Sequence, residues 1–173
     1  MAENILDQVL GVVFLKFKGI KLGKTTDATK LLTEEDLKDI LYQQNGTKPF
    51  TKIRTGVSYM LQCVLGNPGL QVLGLVNPNL KPSPSFISMD FSRELFKDLA
   101  DEAGELIVTL MEDNVESTDP RDIITFPKAA ARQTTEIGWG VDLQRTIGVE
   151  FWIFVNESNQ SFGYSGYASS LGL

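Results

Sequence analysis

The sequence predicts a mainly-β single domain with one flanking α-helix, a short second helix and a long β-hairpin, and three observations carry that expectation. Over residues 53–65 the side chains alternate, with Ile53, Thr55, Val57, Tyr59, Leu61, Cys63 and Leu65 on one face and Arg54, Gly56, Ser58, Met60, Gln62 and Val64 on the other. A two-residue period with one mainly apolar face is the pattern of a half-buried strand. Residues 141–155 repeat it: Val141, Leu143, Ile147, Val149, Phe151, Ile153 and Val155 face one way, Asp142, Gln144, Thr146 and Glu150 the other. Third, Asn45-Gly46 is a hairpin signal because both residues tolerate positive φ, and nearby Pro49 favours an extended loop over a two-residue turn.

The other elements follow in chain order. Residues 1–10 read as a short arm of mixed polarity. Residues 12–18, rich in Val and Phe, predict a strand closed by a turn over 19–23. A polar stretch over 24–33 leads into Glu34-Glu35-Asp36, and residues 37–44 predict the second strand, the first arm of the hairpin. After the alternating third strand comes a helix with Asn67 as candidate N-cap, Pro68 at its first position, and Leu70, Leu73 and Val76 as its buried stripe. Pro78, Pro82 and Pro84 predict a loop over 77–85. Residues 86–91 predict a short strand, and Ser92 then caps a second helix bearing Leu95, Phe96, Leu99, Ala100 and Ala103, stopped by Gly104. Residues 106–111, apolar on both faces, predict a buried strand, and residues 123–126 another that Pro127 ends. Residues 156–173, rich in Ser, Gly, Asn and Tyr, have the composition of a flexible arm. No repeat or boundary divides the chain, so residues 1–173 read as one domain, long enough to bury a core.

The two alternating runs would each span about 40–50 Å at roughly 3.3 Å per residue. Common strands have about 5–6 residues. Strands this long outrun the core of so small a domain. Their ends must curl, project, or pair within a larger sheet, and the last option points to assembly.

Composition narrows the function. Hydrophobic residues make up 42% and charged residues 22%, an ordinary globular mixture. No apolar run reaches roughly 18 residues, so no membrane insertion is expected. The N-terminus lacks a basic region followed by an apolar one, so no secretory signal is expected and folding is assigned to a cytoplasm. The lone Cys63 has no partner for an internal disulfide, which fits a reducing compartment. The chain has no histidine, which removes Ser-His and Cys-His nucleophilic pairs, ordinary zinc sites and the usual base near neutral pH. A net charge of −6 argues against a groove that grips phosphates. No catalytic, cofactor-binding or metal site is expected, and the chain does not read as an enzyme.

Single motifs have plain readings. Glu34-Glu35-Asp36 reads as a solvated edge before it reads as a metal site. Asp113, Glu116 and Asp119 lack the glycine and terminal glutamate of a calcium loop. Gly23-Lys24-Thr25 matches a phosphate loop only in part and reads as a turn. Cys63 sits on the apolar face of its strand as a packing residue. Trp152 stands on the polar face of its strand, placed either under the helix or at a subunit boundary.

Two segments, Ile40-Leu41-Tyr42-Gln43-Gln44-Asn45-Gly46-Thr47-Lys48-Pro49 followed by Ile53-Arg54-Thr55-Gly56-Val57, and Ile123-Ile124-Thr125-Phe126-Pro127-Lys128-Ala129 followed by Gly140-Val141-Asp142, resemble the tail tube (major tail) proteins of long-tailed bacteriophages. The resemblance implies a β-sandwich or barrel of two packed sheets with a flanking helix, in hexameric rings that stack around a channel for the viral genome. It implies a virion protein assembled in the host cytoplasm, whose partners are copies of itself, the tape measure protein, the tail terminator and distal tail or baseplate proteins. DNA would pass through the lumen without specific binding. The hairpin tip, Tyr42, Gln43, Gln44, Asn45, Gly46, Thr47, Lys48, Pro49 and Phe50, together with Trp152, Phe162 and Tyr164, would then make contacts between subunits and rings. Glu34, Glu35, Asp36, Asp39, Asp142 and Glu150 would supply channel charge. A tail terminator, a distal tail ring protein and a type VI secretion-like tube protein are the neighbouring readings. A small enzyme or ligand-binding sandwich would need a polar pocket that the sequence does not offer.

Overall fold

The computed structural model describes residues 13–40, 51–77, 79–82, 87–89, 98–112, 115–134, 146–158 and 160–165. The first strand, β1 (Val13–Phe17), buries Val13, Leu15 and Phe17 on one face. It turns through Lys18 and Gly19, both at positive φ (48° and 78°), directly into β2 (Ile20–Lys24). Two central residues at positive φ suit the right-handed twist of the flanking strands. The turn expected over 19–23 is thus a two-residue hairpin, and most of that segment is strand. Lys-Gly, unlike Asn-Gly, gave no signal of it.

β3 (Lys30–Ile40) pairs antiparallel with β4 (Thr51–Gly66) along its whole length. The acidic triplet therefore lies inside a strand and not ahead of one. Helix α1 (Leu70–Val76) starts later than the Asn67-Pro68 signal: Gly69 occupies the N-cap position and Asn67 sits in the left-handed region at φ 50°. Its buried residues are Val72, Leu73 and Val76, whereas Leu70 is exposed. The expected loop at 77–85 contains β5 (Leu80–Pro82), paired with β6 (Ile87–Met89).

The second helix falls largely on residues outside the description. Its described end, 98–103, consists of tight turns in which Asp101, Glu102 and Ala103 donate to the carbonyls three residues earlier. β7 (Gly104–Glu112) follows, burying Leu106, Val108 and Thr109, with β8 (Val115–Glu116) folded back on its end. β9 (Ile123–Gln133) runs straight through Pro127. The register against β7 shifts there, with Phe126 opposite Leu106 and Ala129 opposite Gly104. A bulge removes the need for one ladder N–H, which is why proline does not end the strand. β10 (Thr146–Ile153) buries Ile147, Val149, Phe151 and Ile153 as the alternation predicts, while Val155 beyond it is exposed.

The mainly-β class is what the sequence predicts, in the form of one antiparallel sheet ordered β2-β1-β7-β9-β10-β4-β3 rather than two packed sheets. Just past β2, Thr25 bridges Leu65 and the Thr26 N–H donates to the Val64 carbonyl at 2.9 Å. The chain leaving β2 therefore lies along the edge of β4 that β3 occupies farther out. This curls the sheet on itself, so β2, β1, β7, β9, β10 and the inner half of β4 surround one core. α1 contributes Val72, Leu73 and Val76 to that same core. At its centre Phe17 and Phe151 meet edge-on, with ring centres 5.3 Å apart, a geometry in which the positive ring edge faces the negative ring face.

Cys63 lies in this core, and burial pushes its thiol up from 9.0 to about 12. The thiolate is the reactive form. We expect the native chain to resist a thiol reagent at pH 8 and to react at least about a hundredfold faster once unfolded by denaturant, since labelling must wait for opening. Rapid native labelling would mean that the inner row of β4 is open. The sign of the linkage follows: an unfolded thiol ionises above 9.0 while the buried one stays neutral, so stability falls as pH rises from there toward 12 and is unaffected below.

A candidate assembly surface on the hairpin and the C-terminal fold-back

The β3–β4 hairpin outruns the core that supports it. Leu61, Cys63 and Leu65 are buried, but residues 51–55 of β4 and 33–39 of β3 are exposed on both faces of the ribbon. Nothing in the described chain packs against them. Leu37 and Ile53 are each about half exposed, at 52% and 51%. β3 is also the last strand of the sheet, so its outer edge carries a row of backbone groups with no strand beside it among the described residues. An open edge of this length is a template for another chain.

The hairpin's two faces differ in chemistry. Asp36 pairs with Gly56 and Leu37 with Arg54, leaving Thr55 as the extra residue of a bulge. The Thr55 hydroxyl donates to the Asp36 carbonyl at 3.0 Å and pins that bulge. One face continues the barrel's inner side as Thr33, Tyr59, Glu35, Val57, Leu37, Arg54, Asp39 and Lys52. On it Arg54 meets Glu35 at 2.7 Å and Lys52 meets Asp39 at 3.5 Å. Exposed pairs of this kind contribute about 0–1 kcal/mol; they set which way the side chains lie more than they hold the fold. The opposite face carries Glu34 and Asp36 together with Leu32, Met60, Lys38 and Ile53.

The acidic candidates are therefore divided. Glu34 and Asp36 share the outward face with Glu150, which accepts a 2.9 Å hydrogen bond from Gln62. Glu35 and Asp39 point the other way and are neutralised by cations. The alternation also keeps Glu34, Glu35 and Asp36 from converging on one ion. Of the calcium candidates, Glu116 is bound to Lys21 at 2.7 Å, and hydrogen bonds from Arg121 hold the Asp119 carboxyl below its usual value. Asp142, Asp113 and the hairpin tip residues Tyr42 to Phe50 lie outside the described residues. Trp152 stands on the outer sheet face, 41% exposed, in a row that runs Leu32, Met60, Trp152, Ala130 across four strands. It does not lie under α1, whose packing is on the inner side.

Phe162 and Tyr164 belong to a second feature: over its described residues, 156–158 and 160–165, the segment expected to be part of a flexible C-terminal arm folds back onto the sheet. After β10, Asn156 bridges Ser161 and the chain reverses. β11 (Tyr164–Ser165) then pairs with Thr125 and Ile124 of β9. β10 leaves β9 at the Ile153–Ala129 pair, so β11 takes the stretch of that edge which β10 leaves uncovered. Phe162 meets Tyr59 edge-on at 4.7 Å, and the Ser165 hydroxyl donates to the Arg121 carbonyl at 2.9 Å. Gly163 makes the close approach possible: a Cβ there would lie 2.5 Å from the Phe126 ring and 2.8 Å from the Thr125 carbonyl. Beside this segment an open groove of about 460 Å³ is lined by Leu31, Tyr59, Ile124, Phe126, Phe162 and Tyr164. The sequence signal was the glycine between two aromatics, which composition alone reads as a flexible tail. Among the described residues no helix is long and apolar enough to cross a membrane.

No family model and no curated protein matches the sequence. Among solved structures, the chain is similar to one in the cryo-EM structure of the anti-feeding prophage baseplate, six-fold symmetrised, with a TM-score of 0.36 and 11% identity over 82% of this chain and 87% of that one. It is also similar to a type six secretion system protein, with a TM-score of 0.33 and 8% identity over 90% of this chain and 95% of that one.

Proposed function

We propose that this chain is a structural subunit that polymerises, as stacked rings, into the tail tube of a long-tailed bacteriophage. The observation that carries the reading is the outer half of the β3–β4 hairpin: paired, ion-bridged, and exposed on both faces and one edge. A ribbon of that length gains nothing from its own core. Its apolar residues Leu37 and Ile53 and its open β3 edge are useful only against another chain. The sequence resemblance to tail tube proteins supports the same reading and names that other chain as a second copy.

In this role Glu34, Asp36 and Glu150 on the outward face are the wall carboxylates, set among Lys30, Lys38 and Arg132 of the same face, and the negative potential of the wall rests on the chain's net charge of −6. A wall that repels phosphates lets DNA slide without being held. The tape measure, terminator and distal tail or baseplate proteins are the partners the reading brings with it, and no catalysis is assigned. The test is electron microscopy of the concentrated full chain. Hollow polymers are expected, with Glu34, Asp36 and Glu150 on the channel wall in a reconstruction. Single rings that never stack would favour a terminator or distal ring protein, and a chain monomeric at all concentrations and with tail initiators would sink the assembly reading.

A further inference from the structure

We infer that the slot on β9 that holds residues 160–165 is an exchange site, which accepts the same segment from a second copy when the protein assembles. The inference rests on the assembly reading above. The complementarity is already visible within one chain. The slot offers the Thr125–Ile124 edge for a strand, a ring partner in Tyr59 for Phe162, and a backbone approach only glycine can fill at Gly163. These contacts are identical whether the segment comes from its own barrel or from a neighbour's. That is the condition for exchange of an element between protomers.

Two further features distinguish this segment from an ordinary tail. Its hinge is tight and strained: Gln160 is held at φ 52°, and its N–H donates to the Asn156 carbonyl at 2.8 Å. Left-handed backbone is costly for a residue with a Cβ, and short strained hinges favour exchange because opening relieves them. The slot also lies at the root of the hairpin. Tyr59, which Phe162 touches, is the cross-strand partner of Thr33, and Leu31 and Tyr59 line the groove beside the segment. A neighbour that docks on the hairpin thus arrives next to the segment's ring contact. The grip is small, a two-residue strand, so release from its own slot is accessible without unfolding the barrel.

The test uses the full chain in three forms: Thr125→Cys, Tyr164→Cys, and both together. The two positions are cross-strand partners. The native Cys63 is buried and does not interfere. The double variant, unassembled and dilute, should close a disulfide within one chain, which establishes that the geometry permits the bond. The two single variants are then mixed, assembled and oxidised. A disulfide-linked dimer in the assembled mixture, absent from the unassembled one, is the expected result. No dimer in polymers whose double variant still closes within one chain would overturn the exchange while leaving the tube reading intact. A wild-type chain that never polymerises would overturn the tube reading and the exchange with it.

Hinge variants read the same inference without crosslinking. Gln160→Gly relieves the strain of the closed form and should slow assembly about fivefold. Gln160→Pro cannot adopt φ 52° or donate the hinge hydrogen bond, and should speed it. Equal rates for the two would count against exchange.

Discussion

Replacing residues 36–56 by Asn-Gly, so that Glu35 turns directly into Val57, leaves a folded chain that no longer forms tubes. Glu35 and Val57 face each other in the ladder, which is the spacing a two-residue hairpin closes. The described residues removed are exposed or half-buried, and the ion pairs lost with them, Glu35–Arg54 and Asp39–Lys52, are exposed as well. Exposed pairs contribute about 0–1 kcal/mol each, so the thermal midpoint should move by only a few degrees. Assembly, by contrast, loses the whole projecting ribbon, including Leu37, Ile53 and the outer part of the open β3 edge. Thermal melting read beside electron microscopy separates the two effects. Tubes built from the shortened chain would move the contact surface elsewhere, with the outer row at Trp152 the next place to look.

Phe151→Ala should destabilise the fold by about 3–5 kcal/mol, the range for an aromatic cut from a core. Phe151 is fully buried and packs edge-on against Phe17, with β1 and β10 on opposite sides of the curled sheet. Its removal leaves a void between strands that are not neighbours in the sheet, which limits how far they can relax into it. For a domain of this size that corresponds to a drop of roughly 10 °C in midpoint, out of a total stability of about 5–15 kcal/mol. The next residue supplies the contrast. Trp152 points outward and is partly exposed, so Trp152→Ala should cost under about 1 kcal/mol. Denaturant melts of the two variants check the assignment of inner and outer faces on β10, and equal losses would refute it.

The sequence by itself determined the β class, because a two-residue period is a local property and survives in any sheet that covers one face. The faces of β4 and β10 were legible residue by residue for that reason, from Leu61 to Leu65 and from Ile147 to Ile153. The length of β4 was legible too, since a run that outlasts a small core is visible as a count, whereas β3 begins at Lys30 and takes in an acidic triplet that reads as a solvated edge. Element ends were less so. The Lys18-Gly19 turn, the late start of α1 and the passage of β9 through Pro127 each depend on a backbone conformation or bulge that a partner strand selects. What only the tertiary structure decided is which strands bond to which. Alternation says that a face is buried but not against what, so two packed sheets and one sheet curled onto itself through Thr25 and Leu65 look the same in sequence. The C-terminal segment was hidden for the same reason. Glycine between aromatics is flexible in isolation, and only the uncovered edge of β9, which the chain meets on reversing after β10, gives Phe162 and Tyr164 somewhere to bind.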